Sequence, residues 1–220
     1  MSKVNPLVVD LSHHNTITSF PAAYAFGIRG VIYKATEGLS YIDPTYGKWR
    51  KAATDAGMLW GAYHFFRVGN VQAQVDNFLR GAQPDSATLL ALDHEDAHCS
   101  VDMVESFLHQ VEARVGRKAI LYSGNTIKEQ LGSRKNDYLG SHKLWLAQYG
   151  LNPVWQASWG NYWLWQYTGD GIGQGPNDIP GLGSNIDVNS YAGSAAALAA
   201  EWVSGATIAP TLPRALVGEW

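Results

Sequence analysis

The sequence has little of several residue types, and each shortage excludes a class of protein. Its one cysteine, Cys99, cannot form a disulfide bond within the chain, so the fold does not depend on oxidation and is compatible with a reducing cytoplasm. Charges are sparse, with 16 Lys and Arg residues against 19 Asp and Glu residues, and the basic residues form no cluster. Because phosphate binding needs a concentrated basic surface, we exclude nucleic acid as the main partner.

Long apolar runs are also absent. No stretch is long enough to cross a bilayer, and residues 1–6 lack the apolar segment of a signal peptide. We therefore predict a protein that is made in the cytoplasm without a signal peptide and without membrane insertion. We expect it to act as a monomer.

Short apolar runs with the character of strands alternate with longer amphipathic or polar segments. The runs are residues 7–11, 30–34, 61–66, 88–93, 119–123, 143–148, 162–167 and 185–188. Asp43 followed by Pro44, Asn70 and Ser100 each precede a segment with apolar residues at helical spacing. This alternation predicts an α/β fold, namely an irregular (β/α) TIM-like barrel with eight mainly parallel strands and a reduced helix set.

The last third of the chain has fewer helix signals. Residues 151–160 and the glycine-rich residues 169–183 resemble loops, so we expect the second half of the barrel to be irregular. The alanine-rich residues 192–203 predict a helix that packs on the barrel. We therefore predict one barrel domain over residues 1–205 and a C-terminal tail over residues 206–220, which contain Pro210 and Pro213.

A pair of carboxylates, Asp93 and Glu95, ends the apolar run 87–92. In a strand, residues i and i+2 point to the same side and lie about 7 Å apart. Like charges in a partly desolvated site raise one pKa, which yields the proton donor and the anion that glycoside cleavage requires. The alternative is two solvated acids, which are common where a strand passes into a loop.

The same residues contain a second motif. His94, Glu95 and His98 match the H-E-x-x-H signature, in which two histidines one helical turn apart bind zinc. That interpretation requires a helix through both histidines, whereas the helical spacing starts only after Ser100. The sequence therefore favours a loop at this position and no metal, with a zinc peptidase as the weaker alternative.

Acids recur at one predicted edge of the barrel, the carboxyl ends of the strands, where barrel enzymes place their chemistry. Asp10 lies near the end of the first strand, Asp93 and Glu95 end the fourth, and Asp187 lies in the eighth, beside the first. Asp10 and Asp187 are also plausible turn-capping acids if each is considered alone. Their coincidence at one edge predicts a single pocket ringed by carboxylates.

Aromatic residues are abundant, with nine Trp and eleven Tyr. Sugar rings present apolar C–H faces with polar rims, and these suit aromatic rings that carry a hydrogen-bonding group. For any single Trp, packing in the core is the alternative. Lys34 follows an apolar run and is predicted to point into a polar cleft, with Glu37 close by in sequence.

Eight short motifs occur along the chain, at residues 9–12, 33–38, 62–65, 92–95, 121–123, 144–147, 165–168 and 186–189. Together these motifs resemble glycoside hydrolase family 25, the Chalaropsis-type lysozymes. The resemblance runs in order over about residues 4 to 192. It implies an N-acetylmuramidase that cleaves the β-1,4 bond between N-acetylmuramic acid and N-acetylglucosamine in bacterial peptidoglycan, without a metal or another cofactor.

The resemblance also implies roles for single residues. Glu95 matches the general acid/base, and Asp93 matches its partner, which either stabilises the cationic transition state or orients the acetamido group of the substrate. Asp10 and Asp187 match cleft carboxylates and complete our set of catalytic candidates. The candidates for substrate binding are Lys34, Glu37, Tyr63, Tyr122, Trp165 and Gln166.

Two positions depart from the family pattern. Residues 12–15 lack the glutamine that often follows the first aspartate, and His94 replaces the hydrophobic residue that commonly separates the two acids. We expect His94 to point away from the cleft. A glycan-binding barrel without activity is a further alternative. The missing export signal suggests a phage-type endolysin, made in the host cytoplasm and released to the wall by a separate pore, with a differently exported bacterial lysozyme as the alternative.

Overall fold

The computed structural model describes residues 4–169 and 171–203. Its strands are β1 (Pro6–Leu11), β2 (Gly30–Glu37), β3 (Tyr41–Ile42), β4 (Leu59–Phe65), β5 (Leu89–Asp93), β6 (Ile120–Ser123), β7 (Leu144–Ala147), β8 (Leu164–Gly169), β9 (Ile172–Gly173) and β10 (Asp187–Ser190). Its helices are α1 (Phe20–Phe26), α2 (Tyr46–Asp55), α3 (Val71–Ala82), α4 (Val101–Val115), α5 (Asn125–Leu131), α6 (Asp137–Gly140) and α7 (Ala195–Glu201).

Eight of these strands close into a barrel in the order β1-β2-β4-β5-β6-β7-β8-β10, and β10 pairs with β1 to complete the ring. Neighbours from β1 to β8 run parallel. Only β10 is reversed, since it is antiparallel to both β8 and β1. The predicted irregular (β/α) barrel is confirmed, and the two short strands β3 and β9 form hairpins with β2 and β8 at its edge.

The barrel has two apolar layers because side chains alternate along each strand. In β5, Leu89 and Ala91 point inward to the barrel interior, whereas Leu90 and Leu92 point outward to the helices. Both faces are therefore buried, which explains why the run appeared as continuously apolar in the sequence. Asp93 continues the inward series at the end of the strand.

The helix signals in the sequence were partly correct. Asn70 and Ser100 cap α3 and α4, with their side chains accepting hydrogen bonds from the backbone N–H of Ala73 and Met103. The predicted start at Asp43 and Pro44 is wrong, because α2 begins at Tyr46. The Asp43 carboxylate instead accepts hydrogen bonds from the backbone N–H and the hydroxyl of Thr45, which form a turn before the helix.

Helix α7 closes the end of the barrel at which the parallel strands begin, which we call the base. Trp202, directly after α7, is 2% exposed and packs with Leu198 among the inward side chains. Its indole N–H donates to the backbone oxygen of Trp60 at 2.9 Å. The predicted helix in residues 192–203 therefore packs on the barrel as expected, whereas the predicted tail, residues 206–220, lies outside the described residues.

No helix among residues 4–169 and 171–203 has both the length and the apolar character needed to span a membrane.

We expect Gly30→Ala to destabilise the base. A Cβ atom at Gly30 would lie 2.7 and 2.9 Å from two ring carbons of Trp202, and a buried indole cannot yield easily. Overpacking of this kind lowers the free energy of unfolding by about 1–3 kcal/mol. Urea denaturation measures the change.

Gly47→Ala is the matched control. Gly47 lies in α2, and a Cβ atom there would meet nothing within 4 Å, so the variant should gain about 0.5 kcal/mol from its better helix propensity. If the free energy of unfolding fell equally in the two variants, the contact with Trp202 would not be the cause of the loss in Gly30→Ala.

Candidate active site

The predicted acids meet at the end of the barrel opposite the base, which we call the mouth. Asp10 faces Asp187 in the register between β1 and β10, and the charges of Asp93 and Glu95 act on each other and on Asp10. Asp187 reaches the mouth in an unexpected way. It is the first residue of β10, and because that strand is reversed, its start lies level with the ends of the parallel strands.

Asp10 is held by two side-chain amides. The amide nitrogen of Gln166 donates to both Asp10 carboxylate oxygens at 3.0 Å, and that of Asn189 donates to Oδ2 at 2.7 Å. The indole N–H of Trp145 donates in turn to Asn189 Oδ1 at 2.6 Å, which fixes the orientation of that amide. Burial and the nearby charge of Asp187 raise the pKa of Asp10 well above its usual value, against the effect of the two amides.

Asp93 is the most enclosed of the four acids. It is 6% exposed, and its Oδ1 has no hydrogen-bond partner among the described residues. Burial, followed by the charges of Glu95 and Asp10, raises the pKa of Asp93 well above its usual value, with Lys34 opposing. Asp93 therefore retains its proton at a pH at which an exposed aspartic acid has lost it.

Glu95, in contrast, is exposed and lies in the loop that follows β5. Together with Tyr122, Thr126 and Tyr149 it lines a cleft of about 420 Å³. The Tyr122 hydroxyl donates to Gln166 Oε1 at 2.8 Å and lies 3.5 Å from Glu95 Oε1. The site thus pairs a carboxylate that a substrate can reach with one that is held behind it, away from solvent.

Tyr63 completes the floor of this cluster. It lies on β4, and β4 pairs directly with β5, which carries Asp93. Burial, followed by the charges of Asp93, Asp10 and Asp187, raises the pKa of the Tyr63 hydroxyl well above its usual value. The phenol therefore remains a neutral hydrogen-bond donor beside the acids.

Lys34 lies on the inward face of β2, as predicted, and its ammonium is 2.5 Å from Glu37 Oε2. Arg67, which the sequence analysis did not identify, lies 2.8 Å from the other Glu37 oxygen. Burial alone would raise the pKa of Glu37, but the hydrogen bonds from Lys34 and Arg67 lower it overall. Phe65 lies under both cations, so this rim of the mouth combines charge with an aromatic face.

Trp165 does not belong to the cleft. Its side chain is 1% exposed, lies in the outer apolar layer, and donates its indole N–H to the backbone oxygen of Gln148 at 2.6 Å. The physical reason is strand alternation: Gln166 points inward to Asp10, so its neighbour in β8 must point outward. The prediction of Trp165 as a sugar contact is therefore wrong.

Two further residues of the site were missed, in addition to Arg67. Asn189, which binds Asp10, lies two positions after Asp187 on the same face of β10, and that spacing was a usable signal. Tyr149 lies in the loop after β7 and lines the cleft. It packs against Gly169, where a Cβ atom would lie 2.8 Å from the Tyr149 ring and 3.0 Å from Asp187 Oδ1. Nothing in the sequence links Tyr149 to Gly169.

The zinc motif is not formed. Strand β5 ends at Asp93 and α4 begins only at Val101, so His94 and His98 are not on one helix. His94 is buried and its Nε2 lies 2.9 Å from Gln130 Oε1, whereas His98 is exposed. His94 thus points away from the cleft, as expected. Within residues 4–169 and 171–203, no three His, Cys, Asp or Glu side chains are arranged to hold a metal ion.

Known proteins are similar to this chain in sequence and in fold. Lysozyme M1 of Streptomyces globisporus is 27% identical over 210 residues, which cover 87% of this chain and 69% of that protein. The N,O-diacetylmuramidase of Chalaropsis sp. is 30% identical over 179 residues, which cover 71% of this chain and 85% of that protein. The crystal structure of a bacterial lysozyme from Streptomyces coelicolor superposes with a TM-score of 0.77 at 25% identity, covering 93% of this chain and all of that one.

A family-wide comparison agrees with these single relatives. The sequence pattern described as glycosyl hydrolases family 25 matches residues 9–176, which include Asp10, Asp93 and Glu95. The match ends before Asp187, whose place at the mouth comes from the pairing of β1 with β10. The length of the match, the barrel and the acids at its mouth lead to one conclusion: the chain belongs to glycosyl hydrolases family 25.

Proposed function

We propose that this protein is a lysozyme, a peptidoglycan hydrolase that cleaves the β-1,4 bond between N-acetylmuramic acid and N-acetylglucosamine. The observation that carries the proposal is the contrast between two acids at the end of β5. Glu95 is exposed in a cleft, while Asp93 is buried behind it with a raised pKa. Glycoside cleavage needs such a pair of unlike carboxyl groups.

In the proposed mechanism, Glu95 protonates the glycosidic oxygen of the leaving sugar and then takes a proton from the attacking water. At a pH above its raised pKa, the ionised Asp93 supplies negative charge close to the positive charge that develops on the sugar ring. Because Asp93 is shielded from solvent, that attraction is stronger than it would be in water. From this position Asp93 can either stabilise the positive charge on the sugar ring or orient the acetamido group of the substrate. No step requires a metal or another cofactor.

The surrounding side chains have supporting roles in this proposal. The amides of Gln166 and Asn189 fix Asp10, and Tyr122 fixes Gln166, so hydrogen bonds connect Asp10 to Tyr122, which lines the cleft. We assign sugar contacts to Tyr63, Tyr122 and Gln166 on this side. On the other side, Lys34 and Glu37 form the charged rim that meets the substrate.

The proposed place of action is the bacterial cell wall, and the proposed active unit is a monomer that does not act on nucleic acid. Synthesis in the cytoplasm and a phage-type release remain predictions from the sequence.

We expect purified peptidoglycan treated with the protein, reduced with borohydride and analysed by mass spectrometry to show new reduced ends on muramic acid. A chelator should leave the yield unchanged. Reduced ends on glucosamine would contradict the proposed bond. Cleaved stem peptides that disappear with chelator would support a zinc peptidase instead. No cleavage of any tested wall would support a glycan-binding barrel.

A further inference from the structure

The loop of residues 94–100 carries Glu95 and connects β5 to α4, beyond the last ladder pair of β5. The position of the general acid in our proposed function therefore depends on what holds this loop. Two hydroxyl groups contact its backbone on either side of the Cα of Glu95. Ser123 donates to the His94 oxygen at 2.8 Å, and Thr126 donates to the Glu95 oxygen at 3.0 Å.

Gln130 of α5 makes three further side-chain contacts to this loop, from outside the barrel. Its amide nitrogen donates to the backbone oxygens of Cys99 at 2.9 Å and Ala97 at 3.2 Å, and its Oε1 lies 2.9 Å from His94 Nε2. One side chain thus joins the start of the loop, at His94, to its end, at Cys99. Glu95 lies between the joined points.

These contacts determine the proton position on His94. Gln130 Oε1 can only accept a hydrogen bond, so His94 Nε2 must carry the proton, while His94 Nδ1 has no partner among the described residues. Burial lowers the pKa of His94, which favours the same neutral form. The contact between His94 and Gln130 is therefore a neutral hydrogen bond in a buried place, where breaking it leaves polar groups unsatisfied.

Gln130 does not reach the substrate cleft. It lines a different groove, of about 520 Å³, on the outer side of α4 and α5, and that groove contains none of the four acids. The cleft with Glu95 is bounded instead by the residues at the start of α5, such as Asn125 and Thr126. Gln130 can therefore affect hydrolysis only from outside the cleft, through the loop that it contacts or through α5.

We propose that Gln130 is a positioning residue for the reaction: by holding His94, Ala97 and Cys99 together from the outer face of the barrel, it fixes the loop that presents Glu95 to the glycosidic oxygen. The inference rests on the proposed function. It also accounts for His94, the residue that departs from the family pattern, because a hydrophobic side chain there has no group to bond to Gln130.

The test compares Gln130→Met with Gln156→Met. Gln156 makes the same number of contacts elsewhere, donating to the backbone oxygens of Gly132 and Arg134 and accepting from the backbone N–H of Ser158, and it contacts neither the acids nor their loop. Both variants lose two hydrogen bonds to backbone oxygens and one that Oε1 accepts, from His94 in one case and from the Ser158 backbone in the other, and methionine preserves the length of the side chain.

We expect Gln130→Met to lower kcat by about 10- to 100-fold, because a displacement of about 1 Å at a catalytic group has effects of that size. The KM should change by less than about threefold, since the contacts to the bound substrate remain. Hydrogen exchange of the backbone amides in residues 94–99 should become faster. Gln156→Met should retain the wild-type kcat and the wild-type exchange rates of this loop.

Gln130→Glu gives a second readout. The ionised side chain of this variant can accept a hydrogen bond from His94, but it repels the backbone oxygens of Ala97 and Cys99 because it has no proton to donate to them. When this carboxyl group is protonated, it can again donate a hydrogen bond to one of the two oxygens. The kcat of this variant relative to wild type should therefore recover as the pH falls. A structural role alone would not produce this recovery.

The role of Gln130 would be overturned if an active Gln130→Met enzyme kept its kcat, or if Gln156→Met lost as much. Should both Gln130 variants fail to fold while Gln156→Met folds, Gln130 is a folding residue and the proposal is wrong. A wild-type protein that cleaves no peptidoglycan would instead overturn the proposed function, and the exchange rates in residues 94–99 would still report whether Gln130 holds the loop.

Discussion

Glu95→Gln should reduce the rate of peptidoglycan hydrolysis by about 10²- to 10⁴-fold, the range that general acid–base catalysis contributes. Glutamine has the same shape but cannot give a proton to the leaving oxygen or accept one from water. Because the Glu95 side chain is exposed, the exchange of a carboxylate for an amide should leave the thermal midpoint within about a degree, as for most surface substitutions. Release of reduced muropeptides, measured over time by mass spectrometry, gives the rate.

Glu129→Gln provides the control for this result. Glu129 is an exposed glutamate on α5 and does not line the cleft, so the same chemical change there should leave the rate unchanged. A Glu95→Gln enzyme that retains half of the wild-type rate would contradict the assignment of Glu95 as the proton donor.

Asp93→Asn should lower activity and raise stability at the same time. Activity is expected to fall by about 100-fold or more, the cost of removing one electrostatic contact to a transition state. Stability is expected to rise because the variant no longer places an ionised group in a buried site where Oδ1 has no partner among the described residues. A gain of about 0.5–2 kcal/mol near neutral pH is typical when a strained functional group is removed.

The pH dependence of this gain follows from the raised pKa of Asp93. In the unfolded chain the Asp93 carboxyl has its reference pKa of 3.8, whereas in the folded protein its pKa is higher, so the folded protein binds this proton more tightly. The wild-type protein therefore loses stability as the pH rises from 3.8 through the pKa of the folded state. Asparagine does not titrate. The stability difference between variant and wild type should therefore be small at a pH below 3.8 and grow as the pH approaches neutrality.

Thermal unfolding at several pH values, followed by circular dichroism, measures this difference. Asp55→Asn is a suitable control, because Asp55 is an exposed partner of Lys51 on α2 and an exposed pair contributes little at any pH. If Asp93→Asn were less stable than wild type at neutral pH, the Asp93 carboxylate would have to be stabilised in the folded state rather than strained.

The barrel strands could be predicted because both faces of a parallel strand are buried, which leaves uninterrupted apolar runs such as residues 89–92. The helices at Asn70 and Ser100 could be predicted because a capping side chain precedes a periodic segment. The short helices α1 and α5 could not, since seven residues carry too few turns to show a period, and neither is as rich in alanine as the equally short α7. The reversed direction of β10 has no signal in four residues.

The site was predicted where the chemistry follows directly from residue type, as for the acids at the strand ends. It was missed for Tyr149, whose contact depends on the fold, and for Asn189, although the two-residue spacing of Asn189 from Asp187 was a usable signal. The error at Trp165 had a cause that was visible in the sequence. Trp165 and Gln166 are adjacent in one strand, so they cannot both point to the same side, and only one of them was able to contact the substrate.

The reversed strand β10 also determines where the chain leaves the barrel. A parallel eighth strand would deliver the chain to the mouth, beside the acids, whereas β10 returns it to the base, where α7 follows and Val203 lies next to the inward side chains of that end. A partner domain fused genetically behind α7 would begin on the side opposite substrate entry. The attachment point of a fused domain and the entry of the substrate therefore lie at opposite ends of the barrel. This separation suits the barrel to serve as the hydrolytic domain of an engineered fusion.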